Sequence, residues 1–403
     1  MSIFELDVGA RRARGAECTT QEILQQPRLW QEIATPHARQ QPALQAFLGP
    51  LLRRPELRIV LTGAGTSAFV GECLRAPLAL RTGRRVEAIA TTDLVAAPRA
   101  FLEPDTPTLL VSFARSGDSP ESVASFELAD RHVSSCAQLV VTCNPDGALL
   151  ARAHTHPYAH SILLPAAAND RGFAMTSSFT GMMLASALAF GVLTPVEIAG
   201  VASLGTALCH WLPRLESFVG SGFERAVFLG SNVLKGLARE AALKLLELTD
   251  GRVVAVGESP LGFRHGPKTI LNSSTLVIVL LSNDPHARRY DLDLLAELRR
   301  EGVASRVLSL SGWPTSADAG SIPTAQPSAS PSLRVESGDD LILPVPAGSM
   351  PSDLALCLPF AMWAQSLALL RSLSLGLRPD RPHAAGTVSR VVEGVTIHPY
   401  EAK

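Results

Sequence analysis

The sequence predicts an α/β protein of two tandem domains, each a three-layer αβα sandwich around a mainly parallel sheet. Three observations carry that expectation. Short apolar runs alternate with helical stretches, as buried parallel strands and their covering helices do. The scheme occurs twice along the chain. And 403 residues exceed what one core ordinarily fills.

Residues 1–50 read as a polar helical segment. Thr19-Thr20-Gln21-Glu22 starts a helix that reaches Gln26, where Pro27 interrupts, and Leu29, Trp30 and Ile33 continue an apolar stripe. The first domain is expected over 51–210. Its strands are Leu57–Thr62, Val86–Ala90, Thr108–Phe113, Gln138–Thr142 and Ile162–Leu164. Long helices over Thr176–Phe190 and Val196–Phe218 close this half. The second domain, 211–378, repeats the scheme with strands at Ala226–Leu229, Val253–Val256, Leu276–Leu281, Ser305–Leu310 and Asp340–Leu343. Its last long helix runs from Ser352 to about Leu375. Gly312–Gly338, rich in Ser, Pro, Ala and Gly, reads as an insertion within that domain. The tail, 379–403, is expected to dock through its apolar run Val391–Ile397.

Composition narrows the function. Apolar residues make up 46% of the chain and charged ones 18%, which suits a well-filled core. The net charge of −1 gives no field for nucleic acid or an anionic membrane, so an anionic ligand needs a local site. The N-terminus lacks the basic and apolar regions of a signal peptide. The longest apolar run, Met182–Leu193, is shorter than the roughly 18 residues of a membrane span. The six cysteines show no CxxC or metal-ligand spacing and read as reduced thiols of a cytoplasmic protein. Neither a metal nor a cofactor is expected.

Two loops after strands have anion-binding character. Gly63-Ala64-Gly65-Thr66-Ser67 offers close backbone approach and free amides at a helix start. It fits a tight turn or a dinucleotide fold equally well. The dinucleotide version also needs an acid ending the second strand, and Glu87 and Asp93 are both misplaced for that. The second loop is Arg115-Ser116-Gly117-Asp118-Ser119, before a helix that Pro120 opens. Its hydroxyls, amides and guanidinium suit an anion; a plain serine cap is the other reading. Both loops leave the carboxyl ends of strands, where open α/β sheets bind ligands.

The richest stretch is Gly230–Pro267. Asn232 or Ser231 caps a helix running to about Thr249. Glu240, Lys244 and Glu247 fall at i, i+4 and i+7 and share one face. Leu237, Ala241, Leu245 and Leu248 form another, apolar face. By spacing alone the charged stripe reads first as a solvated surface face. A Gly- and Pro-punctuated loop follows with Arg264, His265, Gly266 and Pro267, and a histidine so held suits acid–base work.

These motifs resemble a known family. Glu-x-Ala-Leu-Lys-Leu-x-Glu followed by His-Gly-Pro resembles the isomerase half of glucosamine-6-phosphate synthase, a protein of sugar isomerase (SIS) domains. Gly-Glu-Ser-Pro-Leu-Gly-Phe-Arg-His-Gly-Pro-Lys-Thr is most similar to the galactosamine-6-phosphate deaminase/isomerase branch, the AgaS type. Glu22–Pro27, Ala64–Ser67, Ala114–Ser119 and Ala174–Thr180 resemble further family segments.

The resemblance implies two SIS domains. Gly65, Thr66, Ser67, Ser116, Gly117 and Ser119 would hold a sugar phosphate, with Arg115 in place of a usual glutamine. Glu247 would carry a proton between C1 and C2, positioned by Lys244 and Glu240. His265 would open the sugar ring, from the neighbouring subunit of a homodimer. The expected reaction converts galactosamine 6-phosphate to tagatose 6-phosphate and ammonia. No glutamine-hydrolysing segment stands upstream, which favours this degradative direction. The synthase's tail lysine corresponds to Thr387. Two alternatives stand beside this reading: a hexose-phosphate isomerase without nitrogen loss, and a non-catalytic sugar-phosphate sensor.

Overall fold

The computed structural model describes residues 1–219, 222–312, 334–336, 339–343, 345, 350–383, 386, 388–392 and 394–400. Most of the Gly312–Gly338 insertion, and Thr387, lie outside the described residues. The chain divides into two compact units. One comprises Arg28–Pro195 with His383–Lys403, and the other Met1–Pro27 with Val196–Pro382. The division falls between Pro195 and Val196, at the start of the Pro195–Trp211 helix. The first 27 residues also group with the second sheet. Part of the reason is Asp380, whose carboxylate accepts from the Cys18 amide at 3.1 Å and from the Thr19 amide and hydroxyl, each at 2.8 Å.

The first-sheet unit contains β1 (Arg58–Thr62), β2 (Arg85–Ala88), β3 (Thr108–Ala114), β4 (Cys136–Thr142) and β5 (Ala159–Leu163). They run parallel in the order β2-β1-β3-β4-β5. Every residue of β1 and β3 is buried, which is why both read as unbroken apolar runs. The chain leaves β1 toward β2 on one side and returns to β3 on the other. That reversal leaves a crevice at the carboxyl ends. Thr62 and Ser112 are register partners there. The Gln26–Leu52 helix takes Pro27 in its first turn, so Pro27 begins a helix where the sequence suggested a break.

The tail packs on this unit, with Val391 of its apolar run half-buried. Val392 and Val395 are exposed. Tyr400 docks against the cluster of Val60, Leu94, Leu110 and Leu128. Its ring lies edge-on to His132, with centroids 5.1 Å apart.

The second-sheet unit contains β6 (Arg225–Gly230), β7 (Val254–Glu258), β8 (Thr275–Leu280), β9 (Arg306–Ser311), β10 (Arg334–Glu336) and β11 (Asp340–Ile342). Its order is β10-β11-β9-β8-β6-β7, with β10 alone antiparallel among the described strands. Read from β7, the first five strands repeat the order of the other sheet. Leu229, Val277, Val279, Phe263, Leu294 and Leu298 form a core on one face. On the other, the Val233–Leu248 helix packs against the Asp353–Ser374 helix. By length and composition the latter could cross a membrane, but 94% of its apolar window is buried inside the protein. It is therefore read as a core helix. Ser352 caps it by accepting the Ala355 amide at 3.2 Å.

Candidate active site

In the first-sheet unit, β1 ends in a turn that only glycine permits. A Cβ on Gly63 would lie 2.7 Å from the Ser67 backbone. Gly65 sits at φ 55°, where a side chain is strained, and the space beside it is open. Thr66 and Ser67 begin the following helix and are buried. The Thr66 hydroxyl has no hydrogen-bond partner among the described residues. The Ser67 hydroxyl faces the Met175 sulfur at 4.0 Å.

The loop after β3 is braced from beneath. Gly117 has φ 72°. The Asn144 amide donates to the Ser116 carbonyl at 2.8 Å, and the Asp118 carboxylate accepts the Ala148 amide at 2.9 Å. A Cβ on Gly147 would lie 2.5 Å from the Ser116 carbonyl oxygen. Sequence reasoning missed this brace, although Asn144-Pro145-Asp146-Gly147 is itself a turn signature. Ser119 occupies the N-cap of the Pro120–His132 helix without a side-chain cap bond, and its hydroxyl donates to that of Ser122 at 2.7 Å. The helix start and the half-buried Ser116 thus border the crevice between β1 and β3.

Arg115 is held by the protein's own carbonyls. It is buried, and its guanidinium donates to the carbonyls of Arg390 at 2.6 Å and Phe173 at 3.4 Å. Arg390 in turn donates to the Asp170 carbonyl. Arg115 therefore ties the tail to this loop. Asp170, also missed, is fully buried. Its carboxylate accepts the amides of Thr176, Ser177 and Ser178 at 2.8–3.0 Å, fixing the start of the Ser177–Ala189 helix.

In the second-sheet unit the charged stripe is not a solvated face. Glu240 and Lys244 are each 1% exposed. The Lys244 ammonium lies 3.6 Å from Glu240 and is ion-paired with Glu247, whose side chain is 26% exposed. A buried ammonium needs such partners, since desolvation of a lone charge is prohibitive. The arrangement fixes one carboxylate at a partly open edge, backed by a cation and a second carboxylate. Leu237, Ala241, Leu245 and Leu248 bury the apolar face as expected. The expected asparagine cap is absent in its usual form. Asn232 stands at the N-cap position with φ 50° and makes no side-chain cap bond.

The His265 loop is built from anchors on both sides. Gly257 allows the helix to lie on β7, for a Cβ there would meet the Ala238 backbone at 2.4 Å. Glu258 pairs with Lys235 at 2.5 Å and accepts the Ser259 amide at 2.7 Å. Burial raises the Glu258 carboxyl, but these bonds outweigh it and hold the carboxyl below its ordinary range. Ser259 caps the Pro260–Phe263 turn, and Phe263 is fully buried. Arg264 pairs with Glu297 at 2.8 Å, and Lys268 pairs with Glu297 and Glu301. Gly266, at φ 116°, follows His265. His265 itself projects exposed from this fixed loop.

Residues 51–191 match the model of the SIS domain. The chain is 45% identical over 388 residues to D-galactosamine-6-phosphate deaminase AgaS of Escherichia coli, covering 95% of this chain and 96% of the relative. It is 40% identical to the protein of that name from Shewanella sp. strain ANA-3, covering 96% and 93%. Among solved structures, tagatose-6-phosphate ketose/aldose isomerase from Escherichia coli superposes with a TM-score of 0.84 at 42% identity, covering 95% of this chain and 97% of that one. The chain belongs to the AgaS family of SIS-domain proteins.

Proposed function

We propose that this chain is an amino sugar phosphate deaminase/isomerase that converts galactosamine 6-phosphate and water to tagatose 6-phosphate and ammonia. The observation that carries the reading is the near-full-length similarity to D-galactosamine-6-phosphate deaminases. The buried Glu240–Lys244–Glu247 stripe supports it chemically. The phosphate would rest on Ser116, Gly117 and Ser119 with Gly65, Thr66 and Ser67, contributing binding energy remote from the chemistry. His265 passes a proton between the ring oxygen and the anomeric hydroxyl, which opens the sugar to its aldehyde. Glu247 takes the proton from C2 and returns it at C1. The nitrogen is left as a ketimine at C2, and water replaces it to give the ketose and ammonia. Lys244, backed by Glu240, holds Glu247 in place. Arg115 serves this site indirectly, by fixing the loop to the tail.

The enzyme works in the cytoplasm as a homodimer in which His265 serves the neighbouring subunit's site. The exposure of His265 supports this, as do the exposed Val254 and Leu261 on the edge strand and loop beside it. A plain aldose–ketose isomerisation uses the same proton transfer, and the name of the Escherichia coli structure favours it as the second reading. An ammonia-release assay over galactosamine and glucosamine 6-phosphates decides. Release from the galactosamine ester is expected. Conversion of a hexose phosphate without ammonia from either amino sugar would move the assignment to the isomerase.

A further inference from the structure

The two sheets share a strand order, and each first strand ends in the same turn. Gly65 stands at φ 55°, ψ −127° after β1, and Asn232 at φ 50°, ψ −111° after β6. Gly63 and Gly230 precede them, and a Cβ on either would strike the helix that follows, at 2.7 Å from Ser67 and 2.6 Å from Leu234. The loops after β3 and β8 both enter helices with proline at the first position, Pro120 and Pro285. The second-sheet unit therefore has the backbone of an anion crevice at the carboxyl ends of β6 and β8.

Its donors are turned onto the chain's own carboxylates. Asp291, fully buried on the Pro285–Glu301 helix, accepts the Ser231 hydroxyl at 2.5 Å and the Ser282 amide at 2.9 Å. Asp353 accepts the Ser282 hydroxyl at 2.5 Å and the Asn283 amide at 2.6 Å. Asp284 caps the helix start by accepting the amides of His286 at 3.0 Å and Ala287 at 2.8 Å. The corresponding cap in the other unit, Ser119, makes no such bond. The buried Arg288 is the nearby cation and donates to the Ser282 carbonyl at 3.2 Å and the Ser311 hydroxyl at 3.2 Å. Hydroxyls and amides of both loops, and the helix start, are thus occupied by anions from within the unit.

We propose that the crevice at β6 and β8 is an oxyanion site filled permanently by the side chains of Asp291 and Asp353, so that each chain takes one sugar phosphate, at the first sheet. The count of one rests on the function proposed above; the filled crevice does not. Two carboxylates, set at hydrogen-bond distance from hydroxyl and amide donors, do there what phosphate oxygens do in an open site. The second unit keeps the scaffold but gives up the ligand, and its crevice becomes a fixed point for the Asp353–Ser374 and Pro285–Glu301 helices.

The test is chemical rescue of the full-length protein. Asp291→Ala removes the internal anion and leaves its donors in place. Formate, a carboxylate small enough for the gap, should raise the melting temperature of this variant by a few degrees over equal chloride, and leave the wild type unmoved. Asp353→Ala is read in the same way if the first variant does not fold. Equal response of variant and wild type to formate overturns the proposal. Equilibrium dialysis of the wild type against galactosamine 6-phosphate gives the count. One ligand per chain is expected, lost in Ser116→Ala/Ser119→Ala. Two per chain, with one surviving that double change, overturns the filled crevice. No binding at all would instead strike the proposed function, and the formate result would then decide the crevice alone.

Discussion

At the scale of residues, Glu247 and Asp291 are carboxylates in opposite settings. Glu247 sits at the edge of a buried stripe with an ammonium behind it and solvent in front, which suits the proton transfer proposed for it. Glu247→Gln keeps the shape and hydrogen-bonding capacity but cannot take a proton. Turnover should fall roughly 10²–10⁴-fold with sugar-phosphate affinity held, measured as kcat against Kd from dialysis. Unchanged kcat would remove Glu247 from the chemistry. Asp291 is sealed among donors, with Asp353 and Arg288 as charged neighbours, and burial pushes its carboxyl up to about 6. Asp353 shifts upward for the same reason. A carboxyl that titrates higher folded than unfolded stabilises the fold below its unfolded pKa. That stability is lost as pH rises through the folded value. The wild type should therefore lose about 2–3 kcal/mol from this group as pH rises from about 4 to above 6. Asp291→Asn, whose side-chain oxygen can still accept from the Ser282 amide, should flatten that part of the decline. Thermal melts across pH check it, and an equally steep decline in the variant would refute the assignment.

At the scale of elements, the position of the charged stripe depends on how closely its helix lies on β7. Gly257 sets that distance, since any Cβ would overlap the Ala238 backbone. Backbone cannot swing aside as a side chain can, so Gly257→Ala should lift the helix and destabilise the fold by about 1–3 kcal/mol. The urea midpoint measures the cost, and a variant as stable as wild type would show that the helix is not seated there. Much of this architecture was legible in the sequence. The strands β1, β3, β6 and β8 are buried on both faces and so read as unbroken apolar runs. The Glu240–Lys244–Glu247 stripe was legible as a stripe, but its burial was not, because period alone does not say which face meets the Asp353–Ser374 helix. The strand β10 escaped notice because three residues inside the Gly312–Gly338 insertion carry no periodicity. Asp170, Asp291 and Asp353 escaped because they bind backbone amides and hydroxyls. Such partners leave no complementary residue type for a sequence to display. The contacts of Arg115 were not legible for the converse reason. An arginine beside a Ser-Gly loop signals an anion, while the carbonyl that holds it is 275 residues away in the chain.

At the scale of the whole molecule, the proposed mechanism pairs the histidine of one chain with the glutamate of another. The fixed yet exposed His265 fits a proposed dimer in which each site draws Glu247 from one subunit and His265 from its partner. Subunit mixing tests this without a complex structure. Glu247→Gln and His265→Asn homodimers should each be inactive, for different reasons. Their mixed dimer has two unlike sites if the histidine acts across the interface. One site receives both substitutions and is dead. The other combines an intact Glu247 with the partner's intact histidine and is whole. Unfolding and refolding an equal mixture makes half of the dimers mixed, so about a quarter of wild-type activity should return. If the histidine acts within its own subunit, every site in the mixed dimer carries one substitution and no activity returns. Recovery must also scale with the mixed fraction as the input ratio is varied. Activity that ignores the ratio would reflect residual turnover of one variant, and would count against exchange across the interface.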